Sequence, residues 1–240
     1  MFHSQGPSFL ELARQALSST IDGYDLLAEK FEYTPFRTPD LFVEVLVREL
    51  TNGSCENVLD IGSGTGAIPR GLLRKKSFLG EIVGVDNSPG MLEEARRLTS
   101  AEFDDPKVIY ELQDALAMQY DEEFDVVTSS GAFGHFEIFE YETLIAGINR
   151  ALKPGGRFIF LTYPEPTKAN PAYWMAKGFN TAMHFRNLIL PTEFIMFYLR
   201  FTVEQSAEIL WRHGFDVRVI DPDVNLHRSL RLVVATKIAK

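Results

Sequence analysis

The residues Val58-Leu59-Asp60-Ile61-Gly62-Ser63-Gly64-Thr65-Gly66-Ala67 constrain this chain more than any others. A short apolar run reads as a buried strand that carries Asp60 near its end and then turns through three glycines at alternate positions. Glycine accepts backbone angles closed to other residues and lets the main chain approach a ligand that a Cβ would keep away. Ala67 to Lys76 reads as the helix that follows, and its first N–H groups, unpaired within the helix, would face the same ligand. The stretch predicts a nucleotide-like ligand held where a strand passes into a helix.

The rest of the chain predicts the surrounding sheet. Ser8 to Ser19 and Ile21 to Glu32 read as two amphipathic helices, with Phe9, Leu12, Ala13 and Leu17 at helical spacing in the first. Thr38-Pro39-Asp40 has the pattern of a hydroxyl at the N-cap, proline at the first helical position and an acid in the first turn, ahead of Leu41, Phe42, Val45 and Leu46. Strands then alternate with helices. Glu81 to Asp86, Lys107 to Asp114, Phe124 to Ser130 and Arg157 to Tyr163 follow the opening strand, with a helix starting at Ser88-Pro89 and another from about Tyr141 to Leu152. Such alternation predicts a parallel sheet covered on both faces. Thr202-Val203-Glu204-Gln205 reads as a capping box for a last helix closed by Gly214. Phe215 to Asp221 and Leu230 to Ile238 are joined by a loop too short for a crossover helix, so they pair antiparallel.

Residues 163–201 break the alternation. Trp174, Met175, Phe179, Met183, Phe185, Leu188, Ile189, Phe194 and their neighbours are a heavier apolar load than a connecting loop needs, which predicts an insertion with its own fold. The three-part plan is therefore N-terminal helices over 1–53, an α/β domain over 54–162 and 202–240, and the insertion over 163–201.

Charge and composition narrow the partners. With 33 acidic and 24 basic residues the formal net charge is −9. That argues against nucleic acid, whose binding depends on clustered Lys and Arg. Arg74-Lys75-Lys76 reads instead as cations at a helix C-terminus. A single cysteine, Cys55, cannot form an internal disulfide, and no cluster of acids and histidines has metal spacing, so no metal is expected. No uncharged apolar run reaches the roughly 18 residues of a membrane span, and no secretion signal is visible, so a cytoplasmic location is expected.

Two nucleotides fit the glycine turn. Gly62, Gly64 and Ala67 satisfy the G-x-G-x-x-G/A fingerprint of NAD-binding folds, with Asp86 near the distance expected for a ribose-binding acid. Asp60, however, places an anion where a pyrophosphate would lie, whereas it suits an ammonium or sulfonium. Asp114, after the third strand, is placed to accept from an adenine amino group, and the terminal hairpin is not required by an NAD fold built from two equal halves.

At these residues the sequence resembles the class I S-adenosylmethionine-dependent methyltransferases of the small-molecule type. VLDIGSGTGAIPR, EIVGVDNSPGML, LQDAL, FDVVTSSGAFGHF and LKPGGRFIF are similar to that family's successive motifs, in order, over about Val58 to Ile238. The resemblance implies a Rossmann-like, seven-stranded, mostly parallel sheet with helices on both faces, a terminal antiparallel hairpin and a helical lid. It also implies S-adenosylmethionine as cofactor. Asp60 with Gly62, Ser63, Gly64 and Gly66 would hold the methionine moiety, and Asp86 the ribose hydroxyls. Asn87 and Met91 would flank the adenine, Asp114 with Ala115 and Leu116 would read its edge, and Ser130 would contact the methionine portion. The structural alternatives are a helix-capping Asp60, a turn-supporting Asp86, a strand-end Asp114 and a Met91 that is only core.

His135, after the fourth strand, is the candidate general base, because it titrates near neutrality and lies near the methyl end. The alternative is a histidine without an acid-base role, with His184 and Tyr163 as further options. Thr128-Ser129-Ser130-Gly131 replaces the Asp/Asn-Pro-Pro-aromatic motif used on nucleobase and amide nitrogen. The expected acceptor is thus a small hydrophobic or aromatic molecule under an apolar lid. The same aromatic side chains read alternatively as a homodimer interface or the insertion's own core. An NAD-dependent oxidoreductase and a non-catalytic cofactor-binding module are the competing functions.

Overall fold

The computed structural model describes residues 3–53, 55–222 and 229–239. Residues 1, 2, 54 and 240, and residues 223–228 of the loop expected to join the last two strands, lie outside the described residues.

Strands β1 (Asn57–Ile61), β2 (Glu81–Asp86), β3 (Val108–Leu112), β4 (Phe124–Ser129), β5 (Leu152–Thr162), β6 (Phe215–Ile220) and β7 (Arg231–Lys237) form one seven-stranded sheet in the order β3-β2-β1-β4-β5-β7-β6. The first five are parallel, and β7 runs antiparallel to both β5 and β6. The fold is thus the Rossmann-like, mostly parallel sheet with a terminal antiparallel hairpin that the sequence predicts. The helices are α1 (Phe9–Leu17), α2 (Thr20–Leu27), α3 (Asp40–Leu50), α4 (Ala67–Leu73), α5 (Pro89–Glu102), α6 (Tyr141–Ala151), α7 (Pro171–Ile189) and α8 (Val203–Arg212).

Consecutive strand residues point to opposite faces, and here both faces are buried, which is why the strands read as unbroken apolar runs. Val58, Val126, Ile159 and Val234 face α3 and α4, where Leu46, Leu50, Ile68 and Leu72 cover them. Leu59, Val127, Phe158, Phe160 and Val233 face the other way, under Leu144, Ile145 and Ile148 of α6 and Leu210 of α8. Because β1 lies between β2 and β4, the chain winds outward on either side of it, and the carboxyl ends of β1 and β4 mark a topological switch point.

Several local signals resolve differently from their sequence pattern. At α3, Pro39 is the N-cap and Asp40 the first helical residue, with no side-chain cap. The Arg37 guanidinium instead grips Asp40 through two hydrogen bonds of 2.9 and 3.0 Å. The second amphipathic segment leaves the α-helix after Leu27 and continues as a 3-10 turn over Ala28–Tyr33. Thr202 has N-cap backbone angles but its side chain makes no cap bond. The capping box with Gln205 at the third helical position therefore does not form, while the neighbouring Glu204 accepts the Glu165 N–H at 3.0 Å. In β5, Leu152 lies opposite Phe124 but Arg157 opposite Val126, so the Lys-Pro-Gly-Gly run bulges out of the ladder, where proline costs no hydrogen bond.

The apolar load of residues 163–201 divides in two. Helix α7 has no buried residue among its 19. The strap of residues 190–202 returns from it to the body and buries Phe194, Phe197 and Phe201. Phe201 is fully buried at φ +55°, a left-handed conformation that costs a phenylalanine strain. Packing offsets it: its ring stacks on Phe133 at 4.3 Å between centroids and lies 5.2 Å from Phe160 and 5.0 Å from Tyr141. Phe201→Ala is expected to cost about 3–5 kcal/mol in denaturant unfolding; a loss under about 1 kcal/mol would show that the strap is not anchored there.

Candidate active site

A cavity of about 700 Å³ opens at the carboxyl ends of β1, β2 and β4. Asp60, Gly62, Ser63, Gly64, Asp86, Asn87, Met91, Asp114, Ala115, Leu116, Ser130 and His135 all line it. Gly66 does not. At φ +79° it is the N-cap of α4, and a Cβ there would come within 2.3 Å of the Tyr110 hydroxyl. Its glycine makes room for a core side chain rather than for a ligand. Gly64 is the opposite case, with φ +53° and nothing within 4 Å of the Cβ position.

Asp60 is the centre of this half. Its carboxylate is 2 % exposed and Oδ1 has no hydrogen-bond partner. Burial pushes its pKa up to about 7 against the lowering influence of the adjacent Ser63 hydroxyl, and the charge of Asp86 adds to the rise. That hydroxyl is itself buried; its contact with the carboxylate falls short of a well-formed hydrogen bond, and it has no other partner among the described residues. Two unpaired polar oxygens on the wall of a cavity suit a cationic donor such as an ammonium group, and repel a pyrophosphate. Asp86 bridges two loops: Oδ2 accepts the Gly64 N–H at 2.8 Å and Oδ1 the Ser88 N–H at 2.9 Å. Burial raises its pKa, and each oxygen keeps a lone pair for a hydroxyl donor.

The third cluster is partly committed elsewhere. Asp114 is exposed, and its Oδ1 accepts the Leu116 N–H at 2.9 Å. Leu116 therefore offers the cavity a side chain and not a backbone donor. Gln113, which the sequence did not single out, lines the cavity with a buried Oε1 that has no partner.

The imidazole of His135 is held from both sides. Nδ1 lies 2.7 Å from the Ile195 carbonyl, so it carries the proton and donates it. Nε2, 2.9 Å from the Tyr24 hydroxyl, then accepts from Tyr24. Burial lowers the His135 pKa against the opposing Ile195 bond, and burial raises that of Tyr24 well above the usual phenol range. Tyr24 comes from α2, 111 residues away, and no local pattern marks it. Of the other candidates, Tyr163 lines the cavity, whereas His184 stacks on Phe197 at 4.5 Å outside it.

The N-terminal segment is fastened to the loops around the cavity. Asp25 accepts the Ser88 hydroxyl at 2.5 Å and the Gly90 N–H at 2.9 Å, at the start of α5. Glu32 accepts the Thr65 hydroxyl of the glycine turn at 2.5 Å and pairs with Arg70 at 3.4 Å.

Residues 58–156 match the family model of a methyltransferase domain. The demethylmenaquinone methyltransferase of Thermus thermophilus is 38% identical over 114 residues, covering 47% of this chain and 50% of that protein. The ubiquinone/menaquinone biosynthesis C-methyltransferase of Stutzerimonas stutzeri is 36% identical over 122 residues, covering 48% of this chain and 47% of that protein. This chain thus matches only about half the length of these relatives. Among solved structures, a phosphoethanolamine N-methyltransferase 2 of Haemonchus contortus, in complex with S-adenosylhomocysteine, has a TM-score of 0.61 at 21% identity over 83% of this chain and 52% of that one. A DhpI–S-adenosylhomocysteine complex has a TM-score of 0.67 at 17% identity over 97% and 100%. The fold is that of the S-adenosylmethionine-binding methyltransferases. Residues 58–156 are thus similar to a methyltransferase domain, and S-adenosylmethionine is the cofactor the anionic, glycine-lined cavity fits.

A buried carboxylate whose folded pKa is raised stabilises the fold below its unfolded pKa near 3.8, and that stability is lost as pH rises through 7. Asp60→Asn is therefore expected to make the cofactor-free protein more stable at pH 8, by on the order of 1–4 kcal/mol, while weakening cofactor binding. Thermal melts at pH 5 and pH 8 check it, and a variant equally destabilised at both would contradict it.

Proposed function

We propose that this chain transfers the methyl group of S-adenosylmethionine to a small, apolar, aromatic acceptor, with the N-terminal helices and residues 163–201 covering that acceptor. The observation that carries the reading is the mixed lining of one cavity, in which Asp60, Gly64 and Asp86 are joined by Phe31, Phe36, Phe42, Phe136, Tyr163 and Ile195. Relatives named for demethylmenaquinone act on an acceptor of this character.

When bound, the cofactor supplies a methyl group on a sulfonium, an electrophile that already carries its leaving group. The residues here then have mainly to align and to handle charge. Asp60 would pair with the cofactor's ammonium group, and Asp86 would accept from its ribose hydroxyls. Alignment of this kind supplies about 7–11 kcal/mol of the barrier. A hydroxyl-bearing acceptor must also lose a proton. Tyr24 can take it while passing its own to Nε2 of His135, and the lowered pKa keeps that nitrogen unprotonated and ready.

Calorimetry is expected to show S-adenosylmethionine binding that Asp86→Ala abolishes. No binding by the intact protein, or binding of NADH instead, would sink the reading. Tyr24→Phe is expected to lower kcat by about 10²–10⁴-fold with little change in KM; a loss below about threefold would leave the pair a purely structural contact. Since His135 must be neutral to accept the proton and its pKa is lowered, the acid limb of kcat is expected below the ordinary imidazole value of about 6.5. A limb at or above that value would rule His135 out as the acceptor of that proton.

A further inference from the structure

Helix α7 half-buries Tyr173, Phe179 and Met183 on one side and leaves further apolar side chains exposed on the other. Trp174, Met175, Phe185, Leu188 and Ile189 are 61–84 % exposed, and at the helical period they fall on one side, two near the start of the helix and three near its end. Leu17, 62 % exposed at the end of α1, adds to them. The two helix ends are locked together by Arg186, which donates to the Ala16 carbonyl at 3.1 Å and the Ser18 carbonyl at 2.8 Å. Exposed apolar surface of this kind marks an interaction face.

The charge pattern says what covers it. Between Glu165 and Glu193 the chain has no acidic residue but carries Lys168, Lys177 and Arg186, in a protein whose formal net charge is −9. A second copy packed about a two-fold axis would set this basic, acid-free face against itself, with no counter-charge. Anionic lipid headgroups supply that charge, and an apolar face with a tryptophan and flanking lysines suits the boundary between headgroups and acyl chains.

We propose that the outer face of α7, with the end of α1, docks this protein on an anionic lipid bilayer. The cavity mouth lies beside the contact, because Thr20 and Ile21 just after α1, and Glu193 and Ile195 after α7, line the cavity. An apolar acceptor can then pass between bilayer and cavity without crossing water. That last step rests on the methyl-transfer reading; the docking does not.

The test is co-sedimentation of the full chain, without cofactor, with vesicles of phosphatidylcholine alone or mixed with phosphatidylglycerol. Binding is expected to the mixed vesicles and to weaken with added salt. Phe185→Ser with Leu188→Ser is expected to lower the partition coefficient at least about tenfold, with unchanged thermal melting and unchanged S-adenosylmethionine binding. Lys168→Glu with Lys177→Glu is expected to abolish the preference for phosphatidylglycerol. Absence of wild-type binding, equal binding by the serine variant, or a dimer in gel filtration that the serine variant dissolves would each overturn the proposal. Because no cofactor is present, vesicle binding can fail while S-adenosylmethionine binding holds, and the reverse.

Discussion

A carboxylate buried at the end of the central strand, with one oxygen lacking a donor, is the constraint around which the site is built. An unpaired buried charge is costly, and Asp60 would be so placed only where something else supplies the missing partner. The neighbouring geometry follows from that need. Gly64 leaves the wall open beside Asp60, and Asp86 ties the glycine turn to the start of α5, so the ends of β1 and β2 are fixed relative to each other. The sheet places these groups at its switch point, and the polar contacts there set their spacing.

The other half of the cavity is made by segments that the sheet does not contain. Asp25 and Glu32 fasten the N-terminal segment to the start of α5 and to the glycine turn, and Tyr24 fastens it to His135. From the opposite side the strap pins the same region: the Phe197 N–H donates to the Gly134 carbonyl at 2.8 Å, and the Ile195 N–H donates to the Thr20 hydroxyl at 2.7 Å. N-terminal segment and strap therefore hold each other as well as the domain beneath them.

What the sequence revealed was governed by neighbours along the chain. Pairs such as Val58 and Leu59, or Val126 and Val127, are apolar because both faces of the sheet are covered, and that made the strands legible. The short loop after β6 made the antiparallel β7 legible in the same way. Asp60 and Asp86 stood out because each follows an apolar run. What escaped was decided by partners remote in sequence. Glu204 accepts the N–H of Glu165, 39 residues back along the chain, a pairing that no local pattern marks. The role of Gly66 depends on Tyr110, and the tautomer of His135 on Tyr24 and Ile195. Trp174, Phe185 and Leu188 counted in the apolar load that marked the insertion, but composition cannot say whether such side chains turn inward or outward.

The imidazole of His135 has a consequence for how the molecule comes into being. It is the meeting point of three stretches of chain: α2 near the start, the connection after β4, and the strap near residue 195. Loops of that length are slow to close, since their entropy is lost before the contact repays it. During synthesis the glycine turn and its acids can assemble as soon as β1, β2 and β4 have paired. The setting of His135 has to wait until residue 195 has emerged and folded back onto Thr20 and Tyr24. The carboxylates at the strand ends are thus in place early, and the imidazole is fixed last.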